Sequence, residues 1–180
     1  LASDFRVTVL PFWNINLSVD YQWNKLNANL TDFPYPRRNT TLVAAATSLH
    51  FDRFKFQASV LGTFVHENVA SDTTSAGNKM EFTPTAIASY KPFKNIDFNL
   101  RAFYKRIFRM PTLNDLYYTF IGNIKLKPEY TNQYNIGFTY QKLFTGTWLQ
   151  ALNVQLDAYY NEVENKIIAT PTNNFFRWTM

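Results

Sequence analysis

Almost the whole chain alternates apolar and polar residues with a period of two, and the alternating runs are long. From Asn14 to Asn24, Ile15, Leu17, Val19, Tyr21 and Trp23 share one face, and Asn16, Ser18, Asp20 and Gln22 share the other. Similar runs cover Ser3 to Val9, Thr41 to Phe51, Phe54 to His66, Glu81 to Lys91, Ile96 to Arg106, residues 131–141 and Trp148 to Asn161, and Phe175 to Met180 starts another. Leu61 and Val65 break the alternation, and Pro84 is tolerable near a strand start or at a bulge. No stretch sustains a 3.6-residue period. The expectation is an all-β chain of about nine antiparallel strands, each about 9–13 residues long. Strands of soluble sheets usually run to about 5–6 residues, whereas a tilted membrane-crossing strand needs about 9–11.

The connections sort by length. Those around residues 11–13, 52–53, 92–95 and 143–147 are short, and those at 27–39, 67–79, 108–130 and 162–173 are long. Short turns on one rim and long loops on the other describe an up-and-down transmembrane β-barrel, the turns periplasmic and the loops extracellular. Aromatic residues, 18% of the chain, fall near both rims: Trp13, Phe51, Phe54, Tyr90, Phe93, Phe144 and Trp148 beside short turns, Tyr21, Trp23, Phe64, Tyr104 and Tyr134 nearer long loops. In a bilayer these form two interfacial girdles. In a soluble β-sandwich the same rings fill a core, so a soluble glycan- or protein-binding module is the competing reading. The polar face, with Asn16, Asp20, Gln57, Asn99, Arg101, Gln133, Asn135, Asn153, Gln155 and Asp157, needs water or a polar protein surface against it. That suits a wide, wet or plugged lumen, which takes more than nine strands; an open nine-strand sheet would leave bare edges in lipid.

Other classes are excluded by what the chain lacks. It has no cysteine, hence no disulfide framework, thiol nucleophile or Cys-ligated zinc. No apolar run approaches the roughly 20 residues of a spanning helix, and no secretory leader is visible at Leu1. The net charge of +5 is scattered, and its densest clusters, Arg37-Arg38 and Lys105-Arg106 with Arg109, read as solvated edges or loops rather than a phosphate-binding patch, with no nucleic-acid partner expected. His50 and His66 have no metal-ligand spacing, Asp157, Glu162 and Glu164 read as solvated charges, and no nucleotide or hydrolase fingerprint is present. Asn39-Thr40-Thr41 fits a glycosylation acceptor by pattern alone. No enzyme activity and no cofactor is expected.

One stretch goes further. Phe108-Arg109-Met110-Pro111-Thr112-Leu113-Asn114-Asp115-Leu116-Tyr117, then Gly122-Asn123, then Leu126-Lys127-Pro128-Glu129, then Tyr134-Asn135-Ile136-Gly137, resembles the barrel signature of TonB-dependent outer-membrane receptors. Met110, Asp115 and Asn135 depart from the usual Ala, Glu and Glu of that signature. The resemblance implies that residues 1–180 are part of a larger, 22-stranded, plugged barrel in the outer membrane of a Gram-negative bacterium. It implies a plug domain and C-terminal closing strands outside this chain, and Asn174 to Met180 as the next downward strand. It implies partners: membrane lipid, the plug and the rest of the barrel, TonB, and an imported ligand such as a metal chelate, cobalamin, haem or glycan. Arg109, Pro111, Gly122, Asn123, Pro128 and Glu129 are expected in structural rim roles. Pro111 and Pro128 would end strand pairing, Gly122-Asn123 would turn with positive φ, and Arg109 would face Glu129. Tyr117, Tyr118, Phe120 and Ile121 form an apolar cluster that packs on neighbouring loops or the plug, or contacts ligand.

Overall fold

The structure is a computed structural model that describes residues 1–31, 33–70, 75–118, 121–146, 148–171 and 176–180, Phe176 by its backbone only. Eight strands form one antiparallel meander in chain order: β1 Ala2–Leu10, β2 Trp13–Lys25, β3 Arg37–His50, β4 Phe54–Asn68, β5 Lys79–Tyr90, β6 Asp97–Arg109, β7 Glu129–Leu143 and β8 Ala151–Glu164. A five-residue helix, α1 (Leu113–Tyr117), lies between β6 and β7. A separate two-stranded sheet pairs β9 (Ile168–Pro171) with β10 (Phe176–Thr179).

Register follows from the tight turns. The 52–53 turn sets His50 opposite Lys55, and the ladder then runs unbroken to Arg37 opposite Asn68. Because side chains alternate, these registers sort the residues onto two faces. One face carries Phe5, Leu17, Val19, Val43, Val60, Phe82, Leu100, Ile136 and Leu156, all well exposed. The ten polar residues expected on the opposite face all lie there. A sandwich would cover the apolar face with a second sheet, and no described residues do so.

Aromatic rows bound this apolar face. At the long-loop end, Tyr134 stacks between Tyr104 and Tyr160 at centroid distances of 5.1 and 6.1 Å. The next row outward is polar: Arg106, Asn132 and Glu162. Tyr hydroxyls reach toward that level, Tyr104 donating to Asn132 Oδ1 (3.2 Å) and Tyr21 to Asn39 Oδ1 (2.8 Å). At the short-turn end Phe98 packs on Phe138 (5.4 Å) and Phe93 (6.1 Å). Trp13 and Trp23 stand on the same face at opposite ends of β2. Ten residues at about 3.3 Å, tilted by about 40°, rise roughly 25 Å, the height of an outer-membrane apolar band.

Several expectations need correction. The described residues hold ten strands, in line with the about nine expected, but two of them are the short β9 and β10 outside the meander. β3 begins at Arg37, inside the loop expected at 27–39, because Arg37 and Arg38 pair with both neighbouring strands. The Asn39-Thr40-Thr41 pattern therefore sits in a sheet ladder. Trp148 precedes β8 and is almost fully exposed. Residues 176–179 do not join β8 as a downward strand; they fold back on β9. Pro84 lies mid-strand, paired with Val60 of β4, and the β5–β6 ladder runs only from Thr85 to Tyr90. Pro84 has no N–H to donate, and toward β6 the pairing stops there.

Candidate functional site

The described residues bury little, and most of what they bury gathers at the long-loop rim. Its organiser is the 110–128 connection. Five residues make a helix too short to persist alone, and two things hold it. Thr112 and Asp115 form a capping box: Asp115 N donates to Thr112 Oγ1 (3.1 Å) and Thr112 N to Asp115 Oδ2 (2.9 Å). Leu113, Leu116 and Tyr117, at helical spacing, then bury one face against Leu126 and Ile167, with Leu26, Val69, Ala76, Ile124 and Trp178 around them.

Beneath this cluster sits a buried ion pair. Arg38 and Glu67 are cross-strand partners on the polar face, with side-chain exposures of 8% and 0%. Arg38 Nε and Nη2 donate to Glu67 Oε2 at 2.8 and 2.6 Å, and Arg38 Nη1 donates to the Pro111 carbonyl at 2.6 Å. The Tyr117 hydroxyl donates to Glu67 Oε1 and accepts from Ala76 N (3.0 Å). Burial and the neighbouring carboxylate push the Tyr117 hydroxyl up to about 12. The Glu67 carbonyl accepts from Ser75 Oγ (3.3 Å), and Glu67 N donates to Asn78 Oδ1 (3.1 Å). Two strand ends and two long loops therefore meet around Glu67, with Arg38 and Tyr117 at its carboxylate and the 69–78 loop at its backbone.

The expected rim residues occupy distinct places. Arg109 and Glu129 are register partners with Nη1 and Oε2 3.8 Å apart, and Glu129 Oε2 also accepts from Ile167 N (3.1 Å). Pro111 is fully buried and its carbonyl is held by Arg38. Pro128 is buried and its carbonyl accepts from Asn165 Nδ2 (3.3 Å). Gly122 does not adopt positive φ, contrary to expectation; positive-φ glycines are Gly77 and Gly146. It is needed for space instead, since a Cβ there would meet Tyr118 O at 2.7 Å and Leu116 O at 2.8 Å. Asn123 ties the loop together: its N donates to Asp115 O (2.7 Å), its Nδ2 to Trp178 O (3.0 Å), and its Oδ1 accepts from Lys125 N (3.0 Å).

The aromatic cluster divides. Tyr117 is buried in the network, Tyr118 is 55% exposed, and Ile121 is half-buried, its carbonyl accepting from Trp178 N (3.2 Å). Phe120 lies outside the described residues. Tyr117, Tyr118, Gly122 and Asn123 line a cavity of about 540 Å³ whose lining also includes Arg177 and Thr179 of β10. Among the described residues no three His, Asp or Glu side chains gather to hold a metal, and His50 and His66 stay exposed at opposite strand ends.

Sequence reasoning missed three features. Arg38 is buried, not a solvated edge residue, and Glu67 ends β4 rather than opening a polar loop. Counting outward from the 52–53 turn would have placed 38 opposite 67. Thr112 and Asp115, three apart before an apolar run, carry a helix-start pattern. Asp157 is not simply solvated. It makes a two-pronged pair with Arg101, Nε to Oδ1 3.0 Å and Nη2 to Oδ2 2.5 Å, while Glu162 and Glu164 sit on a different stretch and face of β8, toward the outer rim. That pair skips a strand. Arg101 opposes Gly137 of β7, which opposes Asp157 of β8, and a Cβ on Gly137 would meet Asp157 Oδ1 at 2.2 Å.

Comparison with known proteins adds to this geometry. A profile of the family described as "TonB dependent receptor-like, beta-barrel" matches residues 2–179. The vitamin B12 transporter BtuB of Vibrio vulnificus (strain YJ016) is 35% identical over 72 residues, 40% of this chain. The aligned stretch spans 11% of that relative's length. With a profile match over nearly its whole length, and with the signature loop built as described, the chain belongs to the TonB-dependent receptor-like β-barrel family.

Proposed function

We propose that these residues form part of the wall and outer rim of an outer-membrane active transporter, which binds a scarce, bulky ligand outside the cell and imports it with energy delivered through TonB. The observation that carries this reading is the inside-out sheet. A large apolar surface is exposed between aromatic rows, and the polar residues face the other way. Such a surface is favourable against lipid and unfavourable in water. The short connections at 11–12, 51–53, 91–96 and 144–150 are then periplasmic, and the loops at 26–36, 69–78 and 110–128 extracellular.

Both sheet edges, β1 and β8, need further strands in a bilayer, where unpaired backbone groups are not tolerated. Closing strands and a plug domain, carried elsewhere in the full protein, would supply these partners and fill the polar lumen. Candidate cargoes are a metal chelate, cobalamin, haem or a glycan. The likeness to a vitamin B12 transporter makes cobalamin the first to test.

The test has two arms. Full-length protein expressed in a Gram-negative host should sediment with the outer membrane and require detergent for extraction. Recovery in the soluble fraction without detergent overturns the reading. A strain lacking the gene, supplied in turn with cobalamin, haem, ferric chelates or oligosaccharides as sole source, should lose growth on one of them. Deleting tonB should abolish that growth in the wild type too.

A further inference from the structure

We infer that the rim cavity between the 110–128 loop and β10 is an oxyanion site: it takes a ligand that carries a carboxylate or phosphate on an apolar or ring-shaped body. The inference concerns the charge of the cargo and rests on the transport reading for its biological use, though not for its chemistry. The cavity, at about 540 Å³, is of small-molecule size. Its charged lining residues are Lys125 and Arg177, both exposed, and neither side chain is held by an ion pair among the described residues.

The polar groups nearby are already committed. Asn123 spends its side chain on Lys125 N and Trp178 O. The Tyr117 hydroxyl points to Glu67 and Ala76. Two acids of this rim are consumed as well, Asp115 by the Thr112 backbone and Glu67 by Arg38 and Tyr117. The stretches 119–120 and 172–175 (Thr-Phe and Thr-Asn-Asn-Phe) contribute no acid, and Asp32 and Asp72 lie outside the described residues. Among the described residues that line the cavity the charged side chains are both cationic, which makes the local field positive. The guanidinium fork of Arg177 suits a planar or tetrahedral oxyanion, and the Lys125 ammonium adds a point charge. The exposed ring of Tyr118 and the half-buried Ile124 offer an apolar wall for the rest of the molecule.

The experiment reads lysine reactivity in detergent-purified full-length protein. A water-soluble acylating ester is applied in chloride, citrate or pyrophosphate at matched ionic strength, and acylation is quantified by peptide mass spectrometry. Citrate or pyrophosphate should slow acylation of Lys125 several-fold. Lys127 in the same loop and Lys94 at the opposite rim, both exposed, should be unchanged. Arg177→Gln should remove the protection and Arg177→Lys should keep part of it. No protection, or equal protection of Lys127, overturns the oxyanion site. Lost protection in a protein that still fractionates with the outer membrane sinks the cavity assignment alone. Retained protection in a protein found soluble sinks the transport reading alone.

Discussion

Two of the Arg–carboxylate pairs among the described residues, Arg38–Glu67 and Arg101–Asp157, each use two guanidinium N–H groups and sit in opposite surroundings. At the rim, Arg38 and Glu67 sit on adjacent strands under a roof of loop, with side chains 8% and 0% exposed. On the polar face of the wall, Arg101 and Asp157 reach over β7 and remain 38% and 30% exposed. In both, the guanidinium donates through Nε and Nη2, onto the single oxygen Oε2 of Glu67 at the rim and onto both carboxylate oxygens of Asp157 on the wall, and the larger difference between them is solvent. A buried pair is expensive to break because the survivor is left as an unpaired charge, whereas a wet pair exchanges its partner for water. The rim pair therefore acts as a keystone for loops 69–78 and 110–128, and the wall pair as a modest cross-brace.

Unfolding of the full-length protein in detergent micelles, with limited proteolysis of the 110–128 loop, would test this contrast. Glu67→Ala should have the largest effect. It strands Arg38 and frees Tyr117, which costs about 3–5 kcal/mol, and the loop should become cleavable before the barrel unfolds.

Tyr117→Phe comes next. Losing a hydrogen bond to a carboxylate costs about 1.5–3 kcal/mol. The same residue predicts a pH dependence. Its pKa is raised from 10 to about 12 in the folded state. The folded protein then holds this proton after the unfolded chain has lost it, so its contribution is complete below pH 10 and is lost as pH rises toward 12. Loop protection in the wild type should decline across that window, and the Phe variant should lack this component. An identical alkaline decline in both would remove Tyr117 from the keystone.

Gly137→Ala probes the wall pair. The new methyl would collide with Asp157 Oδ1 and with Leu156 O at 2.6 Å, an overpacking cost of about 1–3 kcal/mol. Adding Asp157→Ala should relieve only the side-chain part of the clash.

Thr112→Ala, which removes the cap of α1, should cost about 1 kcal/mol and act on the loop alone. Arg101→Ala should be smallest, at most about 1 kcal/mol, and should shrink further in high salt. If Arg101→Ala proved as damaging as Glu67→Ala, the contrast drawn between the two pairs would fail.

How much was legible beforehand depends on the range of the interaction. The period-two runs placed every strand of the meander, because alternation is a local consequence of one face meeting apolar surroundings and the other polar ones. The ten polar-face residues and the facing of Arg109 and Glu129 follow from the same alternation plus tight turns. Strand ends were less legible: Arg37 and Arg38 look like loop residues until the ladder on both sides is counted. Gly122 was assigned to the right loop for the wrong reason, since a turn glycine and a close-approach glycine look alike until the carbonyls of Leu116 and Tyr118 are in place.

By itself, then, the amino-acid order determined the class, the wall and its two faces, since these depend on residues a few positions apart. Tertiary structure alone decided what the signature stretch is for. Asp115 caps a helix, Tyr117 reaches a carboxylate fifty residues away, and Pro111 lends its carbonyl to an arginine seventy-three residues away. It also decided which charges are buried in pairs and which lie exposed. A carboxylate excluded from water must be paired, while Lys125 and Arg177, both exposed where they line the cavity, meet no such demand.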